Sequence, residues 1–404
     1  MKHNIPGKQW WGAPKKFSIE KEERKISWLE LFYDLVYVIA ISAITHRVAT
    51  HFSINELLDY LYLFVIIFWG WLNGSLYHDL HGSEGLRTKL MTLWQMAIVA
   101  ALVITLQSDS EHQLQNTTIV LLIMQLYITY LWWSVGLYDK EHRKLNRPYT
   151  IIYLIAFLII VSTLFVQQPF IRTLFFVSLV FNCMPPFVSH FLLNRKTSAL
   201  NISSSMTERL GLFTIIVFGE VVLGVINGVI AAHDLSASTW LEFILAVSIV
   251  FALWWLFFTI ISDRKCKGGL LNSSLFELLF IPTLIGLGLL GATFNDIFQF
   301  AKESGQHEFF GIGSLGFSIS LFLLGICAMM LLLHYPAVST GYKILAQRAI
   351  FVTACINFIL ACLPAQWTLQ FYLLLILLVL LALILFLNHS WYSMMKKKEE
   401  DGDR

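Results

Sequence analysis

The chain predicts an all-α polytopic membrane protein of about twelve transmembrane helices, and three observations carry that prediction. Its 404 residues are 57% hydrophobic and 13% charged, far more apolar than a soluble core of this length needs. The apolar residues gather into runs of about 20, the length a helix needs to cross roughly 30 Å of hydrocarbon. Strand alternation is absent, which argues against a barrel.

In chain order, residues 1–27 read as a basic cytoplasmic arm in which Trp10, Trp11 and Phe17 sit among Lys8, Lys15 and Lys16, a mix suited to the headgroup layer. The first apolar run starts too late and is too long for a cleaved signal, so it reads as a retained span. Spans are predicted at 28–48, 54–77, 88–106, 117–137, 149–167 and 170–193, which form a first half of six helices over 28–193. A cytoplasmic linker follows at 194–207. Spans at 208–231, 239–261, 274–294, 311–334, 345–363 and 366–388 make a second half over 208–388, and 389–404 is a charged cytoplasmic tail. The short turn from Leu363 to Gln366 leaves a re-entrant pair open as an alternative. Of the 28 Lys and Arg residues, all but Arg47, Arg172 and Lys302 fall on the side of the N-terminus. By the positive-inside rule both termini are cytoplasmic and the number of spans is even.

The first span carries Glu30 and Asp34, residues that cost about 2.5–3.5 kcal/mol at a helix centre. Four apart, they share a face that continues through Tyr37, Ile41 and Thr45. The seventh span opens on Glu208 and Arg209 and buries Glu220 about 18 Å further on, near mid-bilayer. Arg209, Phe213, Ile216, Glu220, Gly224 and Asn227 lie along one stripe, and Gly224 with Gly228 forms a GxxxG pair that admits a close neighbour. Acids this deep point to an ion or substrate path. Their structural alternative is support of the helix dipole and pairing with Arg24, Lys25 or Arg209.

At the inner end of the second span stand His78, Asp79 and His81. The histidines are three apart, but no third ligand has diagnostic spacing, so no metal is expected. Asn73, Asn182, Asn227 and Asn357 read as interhelical hydrogen-bond partners. The five cysteines show no close pairing, and neither a disulfide nor zinc is expected. With no Walker loop, dinucleotide fingerprint, HExxH or G-x-S-x-G in the chain, no cofactor is predicted. The net charge of +2 gives no reason to expect nucleic acid.

Trp28-Leu29-Glu30-Leu31-Phe32-Tyr33-Asp34-Leu35-Val36-Tyr37-Val38 resembles the W-x-E-L-F-F-D-L-V-F-V signature of the bacterial low temperature requirement protein A family. The stretch from Glu208 to Glu220 resembles that family's second signature, E-R-F-G-L-F-T-I-I-V-L-G-E. Tyr33, Tyr37 and Leu210 stand in place of phenylalanines, and Val221 stands where the family often has serine. The resemblance implies a bacterial inner-membrane protein linked to growth in the cold, without a settled biochemical activity.

A six-plus-six repeat is compatible with Trp71 and Asp79 in the second span matching Trp255 and Asp263 in the eighth. The expected function is a transporter-like or channel-like protein moving a cation, proton or small solute. Its ion- or substrate-binding residues would be Glu30, Asp34, Glu208, Arg209 and Glu220, with Tyr37, His78, Asp79 and Asn227 in support. A membrane-embedded enzyme acting on lipid headgroups and a non-catalytic membrane factor stay open as alternatives. The expected partners are membrane lipids and a small solute or ion. The sequence is compatible with a homo-oligomer and does not select one.

Overall fold

The computed structural model describes residues 25–50, 53–82, 85–108, 111–140, 143–167, 169–193, 201–232, 235–262, 264–300, 313–335, 340–363 and 367–402. The predicted interfacial placing of Trp10, Trp11 and Phe17, the outer Lys302 and part of the Leu363–Gln366 turn lie outside them.

The described residues form thirteen α-helices and no strand. They are α1 Trp28–Thr50, α2 Ile54–His81, α3 Leu86–Leu106, α4 Gln113–Tyr138, α5 Arg143–Ser162, α6 Phe170–Cys183, α7 Pro185–Leu193, α8 Ser204–Ala231, α9 Ala237–Phe257, α10 Leu270–Phe300, α11 Gly313–Leu332, α12 Thr340–Cys362 and α13 Leu369–Gly402. Eleven are long and apolar enough to cross a membrane, or up to twelve spans if α6 and α7 together make one. That pair replaces the continuous span expected at 170–193. It bends by 41° where Pro185 and Pro186 withdraw two backbone N–H groups and crowd the preceding turn. Met184 N–H instead closes a tighter turn on the Phe181 carbonyl at 3.2 Å.

The chain divides into two compact units. The first comprises Met1–Ile44, Leu58–Phe213 and Gly268–Ser274; the second comprises Thr45–Leu57, Thr214–Lys267 and Leu275–Arg404. In the first unit α2 is the central helix, and every residue from Ile66 to Ser75 is buried. A helix covered on all sides must satisfy its polar groups within the protein. Asn73 accordingly accepts from Trp132 Nε1 at 3.0 Å and from the Tyr153 hydroxyl at 2.7 Å. On the same helix Trp69 donates to the Asn182 carbonyl at 2.9 Å, and the Asn182 and Gln125 side-chain amides bond each other reciprocally at 2.9 and 3.1 Å. Asn73 and Asn182 are thus interhelical partners. Arg172 forms a two-toothed ion pair with Asp59 at 3.0 and 3.1 Å.

In the second unit α8 lies directly against α10. A Cβ on Gly224 would come within 3.0 Å of the Gly291 carbonyl carbon, and one on Gly228 within 2.7 Å of the Phe294 carbonyl oxygen. The obstructing atoms are mostly backbone, so the predicted GxxxG pair is a true seam. Asn357 differs from expectation, because its amide donates to the Thr353 carbonyl of its own helix at 2.8 Å. Asn227 is exposed.

The seam predicts that Gly224→Val lowers thermal stability in detergent by about 1–3 kcal/mol, the cost of overpacking. Gly219→Ala, where an added Cβ meets nothing within 4 Å, is expected to leave the melting temperature unchanged. Equal melting temperatures for the Gly224→Val protein and the wild type would refute the close packing.

Candidate functional site: a buried ion triad

The site grows from the first turn of α1. Ser27 and Glu30 form a capping box. Ser27 N–H and its hydroxyl both donate to Glu30 Oε2 at 2.9 Å, and Glu30 N–H returns a bond to the Ser27 oxygen at 3.4 Å. One carboxylate oxygen therefore fastens the helix start, while the other faces inward.

One turn on, Asp34 is wholly buried. Its Oδ1 accepts from Arg209 Nη2 at 2.5 Å and from Trp71 Nε1 at 2.7 Å, and its Oδ2 accepts from Arg209 Nε at 3.3 Å. Arg209, at 0% exposure, comes from the second turn of α8 and also reaches Glu30 Oε1 through Nη1 at 3.5 Å. One guanidinium thus serves two acids, tightly at Asp34 and loosely at Glu30. Of the cations that the sequence offers these acids, Arg209 is one that reaches both of them.

Aromatic rings wall this triad. The Arg209 guanidinium carbon lies 5.6 Å from the Tyr33 ring centroid and 5.8 Å from that of Trp71, within reach of cation–π attraction. Phe213 packs on Trp71 with centroids 4.4 Å apart, and Phe68 closes the cluster at 5.3 Å from Trp71. Water exclusion by these rings strengthens each charge interaction and raises the penalty for an unpaired charge.

A polar ladder adjoins the triad. Tyr33 and Tyr37 pack with centroids 4.8 Å apart. The Tyr33 hydroxyl reaches the carbonyls of Gly70 and Trp71 at 3.4 and 3.3 Å. Gln95 Nε2 donates to the Tyr37 hydroxyl at 2.8 Å and to the Gly70 carbonyl at 3.0 Å. Gln95 Oε1 is buried with no hydrogen-bond partner, an acceptor left for a proton donor or a cation. His78 pairs with the Thr92 hydroxyl at 2.9 Å. Gly74 makes room for this ladder, because a Cβ there would run into the Tyr33 hydroxyl and lie 2.6–2.7 Å from the Gln95 amide.

The structure brings Glu30, Asp34 and Arg209 together and sets Tyr37 and His78 in the adjoining ladder. Asp79 is engaged elsewhere, accepting from the Ser205 hydroxyl at 2.5 Å. Glu208 is exposed, and Glu220, in the second unit, is half-buried. Among the described residues no group of three or more His, Cys, Asp or Glu could hold a metal ion. Sequence reasoning missed Trp71 and Gln95 as members of the site. It also missed the Ser27-x-x-Glu30 box, which was legible as a motif.

A family model described as bacterial low temperature requirement A protein (LtrA) matches residues 25–387, nearly the whole chain. No curated protein and no solved structure matches it.

Removing one partner of a buried pair costs about 3–5 kcal/mol, because the other is left charged and unsolvated. Asp34→Leu and Arg209→Leu are each expected to destabilise by about that amount, and the double variant by less than their sum. Thermal unfolding in detergent measures the cycle, and strictly additive losses would show that the two do not interact. Gly74→Ala is expected to cost about 1–3 kcal/mol through displacement of Tyr33 and Gln95, and an unshifted melting temperature would contradict the tight fit.

Proposed function

The chain belongs to the bacterial low temperature requirement A protein (LtrA) family, and from that premise we propose that it moves a cation or a proton across the membrane as a transporter-like or channel-like protein. The observation that supports this is one buried guanidinium shared unequally between two acids four residues apart. Two carboxylates compete for one guanidinium where water is excluded, and a proton or cation that neutralised Asp34 would free Arg209 for Glu30. In this reading Arg209 occupies Asp34 when the site is empty. An incoming proton or cation takes Asp34, and Arg209 shifts onto Glu30, so the guanidinium is never left unpaired. Glu30 is the anchored member, held by Ser27, and Asp34 is the exchanging one. Gln95 Oε1, buried without a partner, offers a neutral oxygen beside the same helix pair.

Glu220, half-buried and with no side-chain hydrogen bond or ion pair among the described residues, is a second candidate for the same ion. Inner-membrane placement with cytoplasmic termini rests on the Lys and Arg asymmetry, and the link to growth in the cold rests on the family's name. A lipid-modifying enzyme built on Asp34, His78, Asp79 and His81 has less support, since Thr92 engages His78 and Ser205 engages Asp79.

The test is flux in liposomes under imposed K⁺, Na⁺ and H⁺ gradients. Wild-type protein is expected to carry at least one of these ions. Asp34→Asn is expected to lower that flux by about tenfold or more, the effect of ~1.4 kcal/mol or more at the exchange step, while Glu30→Gln retains more of it. Glu220→Gln is the matched test of the second candidate. Wild-type flux that persists unchanged in folded Asp34→Asn protein would overturn the assignment, as would the absence of flux for every ion. Lipid extracts from a deletion strain are expected to show unaltered headgroup chemistry.

A further inference from the structure

A second charged cluster lies in the second unit, where the loop after α9 meets the end of α11 and the start of α12. An isolated antiparallel bridge between Cys266 and Leu333 joins the two segments. Lys267 N–H donates to the Leu332 carbonyl and His334 N–H to the Lys265 carbonyl, both at 2.8 Å. This clasp fixes a set of cations. Arg264 stacks its guanidinium carbon 4.1 Å from the centroid of Tyr335 and lies 6.0 Å from that of Trp391 on α13. Lys343 places Nζ 5.0 Å from the same Tyr335 centroid and donates to the Leu333 carbonyl at 3.1 Å. Lys267 is close enough to Lys343 for their charges to interact.

Two features set this cluster apart from a solvated surface. Among the described residues no ion pair joins Arg264, Lys267 or Lys343 to an acid, so the positive charges gathered there are not balanced by ion pairing. Arg264 Nε is buried and has no hydrogen-bond partner, and Lys343 has spent one of its three N–H donors on Leu333. Burial pushes the Cys266 thiol up to about 11, with Glu277 adding to it, and burial likewise raises Tyr335 against the pull of Arg264. Both are therefore neutral near pH 7 and leave the positive charge as it is, while Glu277 is an acid whose charge acts on Cys266 in the same cluster.

We propose that Arg264 and Lys343, set against Tyr335, together with the neighbouring Lys267 form a binding site for the phosphate of an anionic lipid headgroup. The location argues for lipid over a free anion. The cations stand at the ends of helices long and apolar enough to cross a membrane, at the depth where Tyr, Trp, Lys and Arg meet phosphates. Trp391 and Tyr342, whose rings pack at 5.1 Å, supply an amphipathic flank for the glycerol region. Arg264 would give a directed, forked contact and Lys343 and Lys267 point charges.

The experiment is native mass spectrometry and thermal unfolding of the full chain in detergent, with added phosphatidylglycerol, phosphatidylcholine or inorganic phosphate. Wild-type protein is expected to retain phosphatidylglycerol about tenfold more than phosphatidylcholine and to gain melting temperature with phosphatidylglycerol alone. The Arg264→Gln/Lys343→Gln double variant is expected to lose both responses, and Lys144→Gln, on an exposed residue of the first unit, to keep them. Equal retention of the two lipids by wild type would overturn the site without recourse to any variant. An equal response to inorganic phosphate would overturn the lipid assignment, and an undiminished lipid response in the double variant would overturn the residues named.

Discussion

The pairing of Asp34 with Arg209 is the constraint on which the first unit depends. Both side chains have 0% exposure, and neither charge is tolerable there without the other. Their contact requires α1 and the opening turns of α8 to adjoin, and the Trp71 indole brings α2 to the same carboxylate. Three helices are thereby tied at one point by charge-assisted hydrogen bonds, which are directional in a way that apolar packing is not. In a bilayer, where lipid tails are as apolar as leucine, such bonds help decide which helix faces which.

A second consequence follows for α2. Its two faces carry different kinds of polar partner. Gly70, Trp71 and Gly74 meet Tyr33, Tyr37 and Gln95, whereas Trp69 and Asn73 meet Asn182, Trp132 and Tyr153. Neutral amides and aromatic donors saturate the second side and make it a structural seam. The first side keeps unequal, shiftable bonds around a charge. Exchange chemistry belongs on the side whose hydrogen bonds are not all optimal.

Much of this was legible in the chain, and what was not has physical reasons. Acids inside an apolar run mark themselves, so Glu30, Asp34 and Arg209 stood out from composition and depth. Their mutual pairing was legible only as one alternative beside Arg24 and Lys25, because it joins residues 175 apart in sequence, and that distance is bridged only by packing. Trp71 was hidden by habit, since tryptophans crowd membrane interfaces and a buried one looks the same in sequence. Asn73 and Asn182 were read correctly as interhelical partners, but the same reading missed Asn357, which bonds its own helix. An amide's residue type does not say which way its helix is turned. The break between α6 and α7 is written in the chain as Pro185-Pro186, a signal that the expected continuous span at 170–193 leaves out.

The triad also imposes an order on how the protein is made. Asp34 emerges from the ribosome 175 residues ahead of Arg209, an interval of roughly 10–35 s at about 5–20 residues per second. Throughout that interval the first helix carries Asp34 without the guanidinium that pairs with it in the folded protein. Asp34 must wait protonated, hydrated or shielded by the insertion machinery, with the Trp71 indole as its earliest partner from the chain itself. The first helix made therefore gains its Arg209 partner only once the eighth has been started.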